Sequence, residues 1–266
     1  MSTSVFRARP FLRWAPTIVA LLVAGCGAGD EGASSGPPPE RPRLVVSAAT
    51  SLKTAFTAYG EAFEGADVAL SFAGSDELAA QIRQGVAPDV FAAADTKLPE
   101  QLFREDLVQR PTVFAANRLV LAVPVESDRV SSLEDLGADG VKIAVGSDSV
   151  PIGSYTREVL GRLESEQSEA ILANVGSEEP DVGGIVGKLT QGAVDAGFVY
   201  VTDVSATDGA LRAIDLPARL QPRVAYGIAV VRRTKQPERA KRFVEGLVSG
   251  RGQEALRAAG FEPPAP

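Results

Sequence analysis

Two residue types that often carry chemistry are almost missing. The chain has no histidine and a single cysteine, Cys26. Ser-His-Asp and Cys-His nucleophile systems are therefore excluded, as are the usual zinc sites and any disulfide within the chain. What remains is a recurring kind of loop. Ala48-Ala49-Thr50-Ser51-Leu52 and Phe72-Ala73-Gly74-Ser75-Asp76-Glu77-Leu78 are two examples. Ser149-Val150-Pro151-Ile152-Gly153-Ser154-Tyr155 and Pro180-Asp181-Val182-Gly183-Gly184 are two more. Each opens a helical pattern with small or hydroxylic residues. The first four N–H groups of a helix have no internal partner, and the helix dipole adds partial positive charge there. Small residues let a ligand come close. Such a terminus holds an anion without a cationic side chain. One loop of this kind is an ordinary cap. Four point to converging N-termini that can hold an anion stripped of its water.

Apolar runs and helical spacings alternate around these loops. Leu44–Ala48, Asp67–Phe72, Asp89–Ala93, Arg118–Val123, Val141–Val145, Ala196–Tyr200 and Arg223–Val231 read as strands. Helices are expected at 51–64, 76–84, 99–105, 154–163, 182–191, 238–248 and 251–259. The alternation predicts an α/β fold, with parallel sheets covered by helices and ligands at the strand C-terminal edge. Phe103–Gln109 and Glu164–Glu179 are polar stretches with no functional reading.

Charge narrows the partners. There are 27 Lys and Arg against 34 Asp and Glu. The N-terminal segment holds Arg7, Arg9 and Arg13 and no acid, so the remainder is more acidic still. Nucleic acid is an unsuitable partner for such a chain. An anion-binding protein of this charge must rely on local dipoles.

The N-terminus has the form of an export signal. A basic stretch precedes an apolar run, Trp14–Ala24, that ends in Leu22-Val23-Ala24-Gly25-Cys26. The run is shorter than the ~20 residues a bilayer span takes. This segment resembles a bacterial lipobox, which implies cleavage before Cys26 and a lipid on its sulfur. Gly27–Arg43 is rich in Gly, Ser and Pro and cannot bury enough surface to fold, so a tether is expected. The expected organisation is a signal peptide at 1–25 and a lipidated cysteine with linker at 26–42.

Several segments together resemble the periplasmic molybdate-binding proteins. They are Ala49–Leu52, Ser71–Ile82, Ala87–Asp95, Asn117–Leu121, Ala144–Gly146, Val150–Tyr155, Asp181-Val182 and Gly197–Asp203, in order across about residues 44 to 231. The resemblance implies a two-lobe, Venus-flytrap fold with two hinge crossovers, near Asn117–Leu121 and Arg223–Ile228. Lobe I would hold 43–118 plus 226–266, and lobe II 119–225. It implies that molybdate or tungstate is held by the serines at Ser51 and Ser75, the N–H groups of Ile152 and Val182, and the Tyr200 hydroxyl. Thr50 could add a donor. Asp76, where the family more often has a small or neutral residue, is expected to face solvent. The further expectations are a monomer anchored outside the cytoplasm and an ABC permease as partner. No catalytic residue and no cofactor beyond the ligand are expected. Two rivals stay open. One is another tetrahedral oxyanion, sulfate or phosphate. The other is a serine-dependent enzyme, which would need Lys53 as the base for Ser51.

Overall fold

The computed structural model describes residues 41–264. The expected leader, Cys26 and the tether as far as Glu40 lie outside the described residues. Among those residues no helix is long and apolar enough to cross a membrane.

Two five-stranded sheets are built by one plan. The first joins β1 (Arg43–Ala49), β2 (Asp67–Ala73), β3 (Val90–Ala93), β4 (Thr112–Asn117) and β10 (Val224–Val230) in the order β2-β1-β3-β10-β4. The second joins β5 (Leu119–Pro124), β6 (Ile143–Gly146), β7 (Val175–Glu179), β8 (Ala196–Tyr200) and β9 (Leu211–Asp215) in the order β7-β6-β8-β5-β9. In each sheet three neighbours are parallel: β2, β1 and β3 in one, β7, β6 and β8 in the other. The fourth strand in each order, β10 or β5, runs antiparallel to both of its neighbours. These two strands are also the ones the chain enters directly after leaving the other sheet. Only Arg118 separates β4 from β5, and Gln221–Arg223 leads into β10 from the turn at Ala218–Leu220. The sheets are therefore mixed, not parallel as expected. A fully buried antiparallel strand such as Leu119–Val123 has the same unbroken apolar run as a parallel one, so the pattern carries no direction.

Helices cover both sheets. α1 (Lys53–Ala62), α2 (Ser75–Arg83) and α3 (Lys97–Arg104) follow strands of the first sheet, and α8 (Pro237–Val248) and α9 (Arg251–Ala258) return to it. α4 (Pro151–Leu160), α5 (Ser165–Ala173), α6 (Val182–Thr190) and α7 (Val201–Ser205) belong to the second. α1 buries Ala55, Phe56 and Tyr59 on one face. Phe56 and Tyr59 meet Phe243 of α8 with ring centroids 5.9 and 4.6 Å away. Each such buried ring contributes about 1.5–3 kcal/mol from burial. A second aromatic chain links the two halves. Phe114 and Phe261 pack on Tyr226 of β10, and Tyr226 packs on Tyr200 of β8 at 5.8 Å.

α4 starts three residues before the expected helix. Pro151 occupies its first position, where its fixed φ suits a helix and its missing N–H costs nothing. α5 and β7 form from the polar stretch 164–179, which had no assignment, and β4, β9 and α7 were also not expected.

Candidate functional site

A small cavity lies between the two sheets. Thr50, Ser51 and Ser75 line it from the first half, and Ile152, Val182 and Tyr200 from the second. Every ligand residue expected from the sequence thus faces one cavity. The rest of the wall is small or apolar apart from Asp181, and no lysine or arginine lines it.

Each backbone donor is exposed by a local device. At α4, Val150 offers no capping side chain and Pro151 has no N–H, so Ile152 supplies the first free donor. At α6, Asp181 is the N-cap, and its Oδ1 accepts from Gly184 N at 3.1 Å. That bond satisfies the third N–H of the helix and leaves the one on Val182. At α2 the residue before the helix is Gly74, again without a side-chain cap.

Hydrogen bonds behind the cavity engage the hydroxyl groups that line it. Ser75 Oγ accepts from Ala94 N at 3.1 Å, so its own proton is free for a ligand. Asn117 Nδ2 donates to the Tyr226 hydroxyl at 3.4 Å, and that hydroxyl lies 3.1 Å from Ser51 Oγ. Either hydroxyl of this pair can be the donor; with Tyr226 donating to Ser51, the Ser51 proton is left for the cavity. Thr50 differs: its Oγ1 donates to Asp181 Oδ2 at 3.1 Å, so its proton is already used. Thr50 therefore lines the cavity with its hydroxyl proton directed to Asp181. Tyr200 is 1% exposed, and its hydroxyl has no hydrogen-bond partner among the described residues. A buried hydroxyl left unpaired costs about 1–3 kcal/mol, so this one has room for a partner in the cavity, a water or a ligand atom.

Electrostatics keep these donors protonated. Burial pushes the Tyr200 and Tyr226 phenols well above their ordinary value. Asp203 accepts from Tyr200 N at 3.0 Å, yet burial, with Asp181 nearby, pushes its carboxyl up to about 7. Asp95 is also raised by burial and caps α3 through Leu98 N at 3.1 Å.

Asp76 departs from expectation. It is half-buried, and its Oδ2 accepts from Ser149 Oγ at 2.7 Å across the cleft, so it does not simply face solvent. The dipole at the start of α2 favours a carboxylate there, and the opposite half supplies its partner. Tyr226 and Asn117 were missed as parts of the site. The one signal available was that both fall where the chain was expected to cross between lobes.

A fold of two mixed sheets, with helix N-termini converging on a cavity between them, is that of a two-lobed solute-binding protein. The chain matches the family of bacterial extracellular solute-binding proteins over residues 44–262 and belongs to it. It is 37% identical over 257 residues to the molybdate-binding protein ModA of Mycobacterium tuberculosis H37Rv, covering 93% of this chain and 96% of that protein. The Azotobacter vinelandii periplasmic molybdate-binding protein superposes with a TM-score of 0.75 at 22% identity, covering 84% of this chain and 100% of that one. The sulfate-binding protein SubI of M. tuberculosis H37Rv gives the same TM-score at 16% identity, covering 85% and 88%. These two structures bear on fold alone. The fold does not choose between the two anions, so the choice rests on the cavity.

Proposed function

We propose that this protein is the extracytoplasmic substrate-binding component of an ABC importer and binds molybdate or tungstate between its lobes. Ser51, Ser75 and Tyr200 donate hydroxyl protons, and Ile152 and Val182 donate N–H groups. The observation that carries this reading is a set of five neutral donors around one cavity, with the buried Tyr200 hydroxyl unpaired among the described residues. The identity to ModA supports molybdate as the ligand. A donor-only set suits a fully deprotonated oxyanion. A protonated phosphate needs an acceptor, and Asp181, the one carboxylate lining the cavity, has each oxygen in one hydrogen bond with a lone pair to spare, so phosphate is a rival to test. Sulfate would meet the same donors but is smaller, so it is a second rival to test.

The lobes would divide at 118/119 and 225/226, with closure about those crossings burying the ligand. The lipobox at Cys26 supports a lipid-anchored monomer that presents its cargo to a permease. Binding rather than covalent chemistry is favoured by the surroundings of Ser51. Its oxygen lies against Tyr226, while Lys53 is exposed on α1.

The test is thermal unfolding with molybdate, tungstate, sulfate, phosphate or buffer alone. A ligand at a hundredfold excess over its Kd adds about 2.7 kcal/mol of apparent stability. A shift with molybdate and tungstate and none with phosphate is expected. A shift with sulfate alone would keep the donor mechanism and discard the substrate. No shift with any oxyanion would refute the reading.

A further inference from the structure

Three consecutive residues at the start of α2 meet the second lobe in three ways. Ser75 lines the cavity. Gly74 has φ −58° and ψ 138°, a conformation open to any residue, so its own backbone does not require glycine. A Cβ there would lie 2.5 Å from the Pro180 carbonyl oxygen, which belongs to the opposite lobe. Asp76 accepts from Ser149 at 2.7 Å across the same cleft, and neither residue lines the cavity. Away from the crossovers, Thr50 to Asp181 at 3.1 Å and Lys97 to Ser154 at 3.4 Å also span the lobes.

We propose that Gly74-Ser75-Asp76 is a closure device. Ser75 holds the anion, Gly74 lets the lobes meet, and Asp76 latches onto Ser149 and slows ligand release. Gly74 and Asp76 act as positioning residues. Their effect on the ligand rests on the anion-binding reading, while their effect on closure does not. The latch joins a half-buried carboxylate to an exposed hydroxyl, so its contribution is that of one net hydrogen bond. A ligand trapped by closure leaves only when the lobes part, so weakening the closed form appears chiefly as faster release.

The test uses the chain from Arg41 onward, which is a compact unit by itself. Spin labels at Val86→Cys and Leu172→Cys, exposed positions on the two lobes, report the separation of the lobes. Gly74→Ala should lengthen that distance in every solution while leaving the urea unfolding midpoint near that of the parent. Asp76→Ala and Ser149→Ala should each speed molybdate release about two- to tenfold, and the double variant should be no faster than the faster single one. Asp76→Asn, which keeps an acceptor, should release molybdate near the parent rate. An unchanged distance in Gly74→Ala, or release effects that multiply in the double variant, would overturn the proposal. If the parent binds no molybdate, the anion reading fails, and the distances alone decide the device. A closed parent with open Gly74→Ala and Asp76→Ala then supports it, and three identical distributions refute it.

Discussion

Tyr200→Phe is expected to weaken molybdate binding about 10- to 100-fold, the equivalent of ~1.5–3 kcal/mol for a hydrogen bond to a charged group. The ligand-free protein should be no less stable. This combination is unusual for a residue 1% exposed at the end of β8. It follows because the hydroxyl bonds to no group of the described protein, so its removal breaks nothing when the site is empty. Removing an unpaired buried hydroxyl can even stabilise the fold, by up to about 1 kcal/mol. The ring stays, with its packing on Tyr155 and Tyr226. Calorimetric titration with molybdate, beside urea unfolding without it, checks both halves. Equal loss of affinity and of ligand-free stability would mean the tyrosine is only a core residue.

Gly153→Ala should do more damage, and of another kind. A Cβ at this position would lie 1.9 Å from the Ser147 carbonyl oxygen and 2.5 Å from that of Gly146. Both obstacles are backbone at the end of β6, so no side chain can swing away. The first turn of α4 must move, and with it the Ile152 N–H that is to meet the anion. Overpacking of this sort costs about 3 kcal/mol. Loss of binding should accompany the loss of stability. Gly187→Ala, in the middle of α6, is the control. A Cβ there meets only Gln191 Nε2 at 3.9 Å, so alanine should gain up to about 1 kcal/mol through its better helix propensity. Urea midpoints for the two variants should therefore move in opposite directions. A Gly153→Ala protein with parental stability and affinity would contradict the position assigned to α4.

What the sequence made legible has a physical pattern. The helix-start loops could be read because each depends on local chemistry. Pro151, Gly153, Asp181 and Gly184 act within a few residues of their own position. The missed strands β4, β7 and β9 all lie at sheet edges. An edge strand is buried on fewer sides and needs no continuous apolar run, as the alternating burial of Val175–Glu179 illustrates. α5 buries only Ile171, so helical periodicity had nothing to detect. The antiparallel direction of β5 and β10 was hidden because burial on both faces looks the same in either direction. The parts of the site that went unread are those made by distant partners. Tyr226 reaches Ser51 across 175 residues, and Asp181 reaches Thr50 across 131. Asp76 was assigned to solvent because nothing local announces Ser149, which lies 73 residues away. The local part of the cavity wall was therefore visible, and the long-range hydrogen bonds behind it were not.

The central claim is that five named neutral donors surround the metal oxyanion. Its most direct test is a crystal of the molybdate complex measured at the molybdenum absorption edge. The account predicts one strong anomalous peak, within hydrogen-bonded reach of the Ser51, Ser75 and Tyr200 hydroxyls and the Ile152 and Val182 N–H groups through the oxygens of the anion. A peak elsewhere on the molecule, or an empty cavity at saturating molybdate, would contradict it.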